Sequence, residues 1–206
     1  MSERLLVLGT SNVKKRQELS ELFAPTGLKL LTLEDFSNAI EVEETGQTFA
    51  ANAALKARQQ ACHLNRWVLA EDSGLMVDVL DGAPGVFSAR YSGDNATDDS
   101  NNQRLLADLG QTPIEKRTAA YCCHMTLADP NGTIAVESEA FCRGRITFQP
   151  RGSNGFGYDP LFEVIECHKT FGLLGSVVKA AISHRARAAR QMLPSLIRLI
   201  DSGRWD

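Results

Sequence analysis

Asp129-Pro130-Asn131-Gly132 separates two strand-like runs, Thr118 to Ala128 and Thr133 to Arg143. Turns select these residue types: Gly reaches positive φ, Pro presets its own φ, and Asp and Asn bond back to the local backbone. Runs joined by so short a connection pair antiparallel, because a parallel pair needs a crossover of a dozen residues or more. This hairpin argues against a purely parallel, doubly wound sheet.

The N-terminal half carries the opposite signal. Arg4 to Leu8 is a short apolar run ending at Gly9 and reads as a buried strand. Asn12 to Phe23 follows, with Leu19, Leu22 and Phe23 at helical spacing and Asn12 as cap. A strand over Lys29 to Leu33 then gives a β-α-β opening and a parallel pair. Thr48 caps an Ala-rich helix from Phe49 to Cys62, and Trp67 to Ala70 is the next strand, with Glu71-Asp72-Ser73-Gly74 at its carboxyl end. Leu75 to Leu80 fits a strand or a short helix, and Gly82 to Gly93 is expected to be loop. Thr97 caps a helix that ends at Gly110, Gly152 to Pro160 is a Gly-rich loop, and Ala180 to Ile200 is a terminal helix kinked at Pro194. The sum is an α/β chain with a mixed sheet: parallel pairs early, a hairpin later, helices around it.

The 206 residues suit one large domain or two closely joined lobes. With 43% hydrophobic and 23% charged residues the chain can bury a sizeable core. The net charge of −3 leaves no basic field for a nucleic-acid polymer, so a polyanionic ligand must be met by a few local cations. No apolar run approaches the roughly 20 residues of a membrane span. The apolar stretch within Met1 to Gly9 is too short for a signal peptide, which leads to a cytoplasmic expectation. Five cysteines, Cys62, Cys122, Cys123, Cys142 and Cys167, form no C-x-x-C pair and read as free thiols.

Five segments have chemistry in their composition. Thr10-Ser11-Asn12-Val13-Lys14-Lys15 follows a strand and opens a helix, where backbone N–H groups and the helix dipole favour an anion. It is neither a Walker A loop nor a dinucleotide fingerprint, and a plain capped helix with surface lysines fits it as well. Glu41, Glu43 and Glu44 form an acidic group, and Lys56 lies one turn beyond Asn52 on one helix face. Taken alone, these read equally as a solvated loop and a surface charge.

In Glu71-Asp72-Ser73-Gly74 two adjacent carboxylates follow an apolar strand. Side chains alternate along a strand, so one carboxylate faces a site while the other orients a neighbour or pairs with a lysine. Mg²⁺ takes one or two carboxylates plus phosphate oxygens and water, a count that Asp72 and Glu44 meet. Gly155-Phe156-Gly157-Tyr158-Asp159-Pro160 sets aromatics between glycines, where a base can stack; a turn with a core Phe is the plainer reading. Lys179, His184 and Arg185 lie at the start of the last helix, with Ser183 as a possible cap and Arg187 and Arg190 on its solvated face.

Eight motifs then occur in one order: Thr10-Ser11-Asn12-x-x-Lys15, Glu43-Glu44-Thr45-Gly46, Asn52-Ala53-x-Leu55-Lys56-Ala57, Asp72-Ser73-Gly74-Leu75, Gly82-Ala83-Pro84-Gly85, Ser88-Ala89-Arg90-Tyr91, Phe156-Gly157-Tyr158-Asp159 and Ile182-Ser183-His184-Arg185. Together, from about Leu5 to about Arg190, the chain resembles the non-standard purine nucleoside triphosphate pyrophosphatases, also called inosine or xanthosine triphosphatases. Many members have Asp-Asp-Ser-Gly where this chain has Glu71, and Phe171 to Val178 lacks acidic residues often found before the lysine.

The resemblance implies one pyrophosphatase domain over residues 1–206, an elongated two-lobed α/β protein with a long central mixed sheet and its active cleft between lobes. It implies Mg²⁺ dependence, a homodimer and hydrolysis of dITP, ITP or XTP to the monophosphate and pyrophosphate. By residue match, Thr10, Ser11, Asn12, Lys15 and Lys56 bind phosphate; Glu44 and Asp72 hold Mg²⁺; and Asp72 is also the general base. Ser73 binds substrate, and Phe156, Gly157, Tyr158, Asp159, Lys179, His184 and Arg185 read the nucleoside. The expected reaction is one in-line attack of water on the α-phosphorus. Donors such as Arg185 would favour the 6-oxygen of hypoxanthine or xanthine over the amino group of adenine. A pyrophosphatase for other nucleotides and a non-catalytic nucleotide- or RNA-binding module stand as alternatives, the latter disfavoured by the net charge.

Overall fold

The computed structural model describes residues 4–205. Its seven-stranded mixed sheet has the order β2-β1-β3-β4-β5-β6-β7. The strands are β1 (Leu5–Leu8), β2 (Lys29–Thr32), β3 (Val68–Val77), β4 (Thr118–Ala128), β5 (Ile134–Ile146), β6 (Phe162–Val164) and β7 (Lys169–Thr170). The helices are α1 (Val13–Phe23), α2 (Phe49–Leu64), α3 (Asp98–Leu109), α4 (Ser176–Ile182) and α5 (His184–Asp201). β1 pairs parallel with both β2 and β3, as helical crossovers require. β6 pairs antiparallel with β5 and β7 with β6.

By contact the chain forms two compact units. Of the described residues, the first comprises 4–72, 123–140 and 185–205. Its core gathers Leu6 and Leu8 of β1, Leu19 and Phe23 of α1, Leu69 of β3, Met125 and Leu127 of β4 and Met192 and Leu196 of α5. Trp205 closes this core: its ring stacks on Trp67 at 4.6 Å, and its carbonyl accepts the Trp67 indole N–H at 3.1 Å. The second unit comprises residues 73–122 and 141–184, with Leu105, Tyr121, Ile146, Phe162 and Phe171 at its centre.

The hairpin turn is built as its composition demands. Asp129 Oδ1 accepts the N–H groups of Asn131 and Thr133, and Gly132 takes φ 76°. A Cβ on Gly132 would lie 2.4 Å from Cys62 Sγ, and the Gly132 carbonyl accepts from Arg58 Nε at 3.1 Å, so the turn lies directly on α2.

Three elements depart from the sequence expectation. β3 does not stop at Ala70 but runs through Glu71-Asp72-Ser73-Gly74 to Val77, followed by a 3₁₀ turn over Asp78–Leu80. It lies between β1 and β4, and its two carboxylates have polar partners, so burying them does not end the strand. The terminal helix is two helices, broken at Ser183, whose ψ of 158° is extended. Pro194 lies within α5, which runs on to Asp201. The loop after Gly82 holds a 3₁₀ segment, Gly85–Arg90, where Ser88 Oγ donates to the Gly85 carbonyl and accepts the Leu75 N–H at 2.9 Å.

Candidate active site

Alternation along β3 sends Glu71 and Asp72 to different partners, and both are buried. Glu71 meets Lys15 Nζ at 2.9 Å and Arg185 Nη2 at 3.5 Å, and Cys123 Sγ donates to it at 3.4 Å. Arg185 also pairs with Glu18. Burial alone would raise the Glu71 pKa, but Lys15, Arg185 and Lys56 outweigh it and hold the carboxyl far below its ordinary range. Glu71 is thus held in its ionised form at neutral pH, paired with two cations.

Asp72 has different surroundings. Its Oδ2 accepts from Asn52 Nδ2 at 3.1 Å, and its Oδ1 lies 3.6 Å from Lys56 Nζ. The same ammonium donates to Glu44 Oε1 at 3.0 Å. Glu44 and Asp72 therefore converge on one nitrogen and are no farther apart than those two contacts laid end to end. Burial pushes the Asp72 pKa up; Lys56 and Lys15 pull against it, while Glu44 and Glu71 add to the rise. Lys56 is held above its ordinary value, because Asp72, Glu71 and Glu44 together exceed the opposing effect of burial.

Local sequence builds this cluster. Thr48 caps α2 by accepting the Ala51 N–H, which starts the helix so that Asn52 and Lys56 fall one turn apart on one face. Gly46 presses onto that first turn: a Cβ there would meet Asn52 Oδ1 at 2.6 Å and Ala51 Cβ at 2.7 Å. Its N–H donates to Asn52 Oδ1 at 2.8 Å, which anchors the acidic loop. At the start of α1, Asn12 Oδ1 accepts the Lys15 N–H at 3.0 Å and Thr10 Oγ1 accepts the Asn12 N–H at 3.2 Å. Ser11 and Asn12 are exposed there.

The second unit holds another set. Asp159, 2% exposed, accepts the Phe156 N–H at 2.8 Å and Lys179 Nζ at 2.7 Å. The same ammonium lies 4.2 Å from the centre of the half-buried Phe156 ring, a cation–π contact. Gly155 has φ 78°, and a Cβ there would lie 2.0 Å from Asp159 Oδ2, so no other residue fits. The Gly157 carbonyl accepts from Asn102 Nδ2, and the Tyr158 hydroxyl donates to the Ser88 carbonyl. His184 stacks on Tyr121 at 4.7 Å and 9°. Burial, with Asp159 close by, pushes the Tyr121 hydroxyl well above its ordinary pKa, so it is a neutral donor.

The structure thus gathers Lys15, Glu44, Lys56 and Asp72 in the first unit and Phe156, Asp159 and Lys179 in the second. Ser73 follows Asp72 on β3 and is half-buried. Arg185, grouped by sequence with the nucleoside set, has its guanidinium on Glu18 and Glu71 and is 1% exposed. Sequence reasoning named no role for Asn52, Glu18, Asn102 or Tyr121. Asn52 was within reach, since it shares a helix face with Lys56; the others needed contacts made only by folding.

Among the described residues no group of three or more His, Cys, Asp or Glu side chains is arranged to hold a metal by itself. Glu44 and Asp72 are nevertheless hard oxygen donors converging on one cation, and two carboxylates fit Mg²⁺ when phosphate and water complete the shell. Two ammonium groups beside a buried, proton-hungry carboxylate are chemistry for a polyphosphate and a water molecule.

A model of the Ham1 family matches residues 6–195, and the chain belongs to that family. It is 52% identical over 197 residues, 96% of this chain and 95% of the relative, to a Rhodopirellula baltica protein named dITP/XTP pyrophosphatase. It is 45% identical over 192 residues to a Bacillus cereus protein of the same name, covering 93% and 94% of the two chains. A solved HAM1 protein from Coxiella burnetii superposes with TM-score 0.85 at 37% identity, over 96% of this chain and 98% of that one. The Staphylococcus aureus Ham1 protein gives 0.82 at 35% identity, over 97% and 99%.

Proposed function

We propose that this chain is a nucleoside triphosphate pyrophosphatase that hydrolyses non-standard purine nucleoside triphosphates, dITP or ITP and XTP, to the monophosphate and pyrophosphate. Two relatives carry the name dITP/XTP pyrophosphatase over more than nine-tenths of the chain. The observation that carries the chemistry is Lys56 held jointly by Glu44 and Asp72.

Thr10, Ser11 and Asn12 present hydroxyl, amide and backbone donors to the phosphate chain at the start of α1. Lys15, steadied by Glu71, and Lys56 stabilise the charge that develops on the leaving pyrophosphate. Glu44 and Asp72 would hold Mg²⁺, which when bound neutralises phosphate charge and polarises water. Asp72 accepts the proton of the water that attacks the α-phosphorus; its raised pKa makes it a stronger base than an exposed aspartate. Ser73, beside it on β3, contacts substrate.

The nucleoside end falls to Phe156, Gly157, Tyr158, Asp159, Lys179 and His184. The face of Phe156 away from the Lys179 ammonium stacks the base, and the Lys179 ammonium and the His184 ring supply donors suited to the 6-oxygen of hypoxanthine and xanthine. Arg185 acts from the other side of this division of labour by fixing Glu71. The reading includes a homodimer working on the cytoplasmic nucleotide pool, without a nucleic-acid or membrane partner; sedimentation of the purified chain measures the dimer.

The test is pyrophosphate release from inosine, xanthosine, adenosine and guanosine triphosphates, with and without Mg²⁺. Release from the first two, dependent on Mg²⁺, is expected. Equal rates for all four would refute the selectivity, and tight binding without release would make the protein a nucleotide-binding module.

A further inference from the structure

Asn52 is fully buried and bonded at both ends of its amide. Its Oδ1 accepts the Gly46 N–H at 2.8 Å, and its Nδ2 donates to Asp72 Oδ2 at 3.1 Å. The first bond holds the loop carrying Glu44; the second holds the side chain proposed as general base. Gly46 lies so close that any Cβ would clash with the amide, so loop and helix are fitted to this contact. A buried amide is conformationally fixed when both its donor and its acceptor are engaged.

We infer that Asn52 is a positioning residue: it locks one oxygen of Asp72, leaves Oδ1 turned to Lys56, and holds Glu44 in register with it. This inference rests on the reading of Asp72 and Glu44 given above. Three observations favour it over a merely structural role. The donor is spent on the one carboxylate assigned to the chemistry. The amide precedes Lys56 by one turn of the same helix, so one rigid element presents both partners of Asp72. The Asn52 side chain ties the Gly46 backbone of the loop to the Asp72 carboxylate of the strand, beside the Lys56 bridge from Glu44 to Asp72.

Asn52→Asp keeps the shape and the acceptor for Gly46 but removes the donor to Asp72. Asn52→Ala removes both. For each, kcat is expected to fall about 10- to 100-fold, the range seen when a group that orients a functional ligand is lost. KM should change far less, because substrate contacts are untouched. Asn52→Asp added to Asp72→Asn should cost little further turnover, since the Gly46 bond is kept and the remaining effect acts through Asp72. As a readout without turnover, the Asn52 side-chain amide resonance, followed by NMR in the free enzyme, should move on Asp72→Asn, and the Gly46 amide should move on Asn52→Ala.

Normal kcat in a folded Asn52→Asp variant, losses that multiply fully in the double variant, or an Asn52 amide indifferent to Asp72→Asn would each overturn the inference. If Asp72→Asn itself keeps full turnover, the general-base reading fails instead, so the two failures are distinguishable.

Discussion

Adjacent residues on β3 carry opposite electrostatic fates. Glu71 is a buried anion locked by Lys15 and Arg185, whereas Asp72 is a buried carboxyl whose proton affinity is raised. Asp72→Asn should reduce turnover about 10²–10⁴-fold, as loss of a general base does. A folded-state pKa above the unfolded one means that ionised Asp72 opposes folding as pH rises. The variant should therefore melt no lower than the parent at neutral pH, measured by calorimetry; a clear drop in Tm would show that Asp72 is held for stability. Glu71 has the reverse sign. Its depressed pKa contributes stability that is present above its ordinary value of 4.5 and is lost as pH falls toward the much lower folded value. Glu71→Gln takes the buried carboxylate from half-buried Lys15 and leaves Arg185 to Glu18, and should cost about 3–5 kcal/mol in urea unfolding. That deficit should shrink as the pH is lowered below about 4.5, where the parent begins to lose the same contribution.

At the scale of elements, caps and turns do the placing. Asn12 and Thr48 start α1 and α2 where Lys15 and Lys56 reach the carboxylates of β3. The hairpin turn packs on α2 through Gly132, whose φ of 76° and contact with Cys62 leave no room for a side chain. Gly132→Ala should lower stability by about 1–3 kcal/mol from backbone strain and the clash together. An unchanged denaturation midpoint would mean that the turn is free of the helix. The break at Ser183 has no periodic signal. Apolar spacing continues across it, yet the backbone at Ser183 is extended, with His184 stacked on Tyr121 and Arg185 paired with Glu18 and Glu71.

Over the whole molecule, each compact unit has its own apolar cluster, and a ligand that binds only the folded state stabilises it. A non-hydrolysable inosine triphosphate analogue at 100 times its Kd should add about 2.7 kcal/mol to stability by mass action. The rise in Tm should vanish when Mg²⁺ is chelated if Glu44 and Asp72 share the ion; a rise indifferent to chelation would separate binding from metal.

Much of this was legible beforehand because it is local. Caps at Asn12, Thr48 and Thr97, the turn at Asp129–Gly132 and the strand Thr118–Ala128 depend on neighbours a few positions away, and all lie where expected. The choice of partners is not local. That Lys56 would be shared by Glu44 and Asp72, that Asn52 would tie Gly46 to Asp72, and that Arg185 would pair with Glu18 and Glu71 were settled by folding. A buried charge takes whichever opposite charge the packed backbone brings within a few ångströms, and chain spacing alone carries no record of that distance.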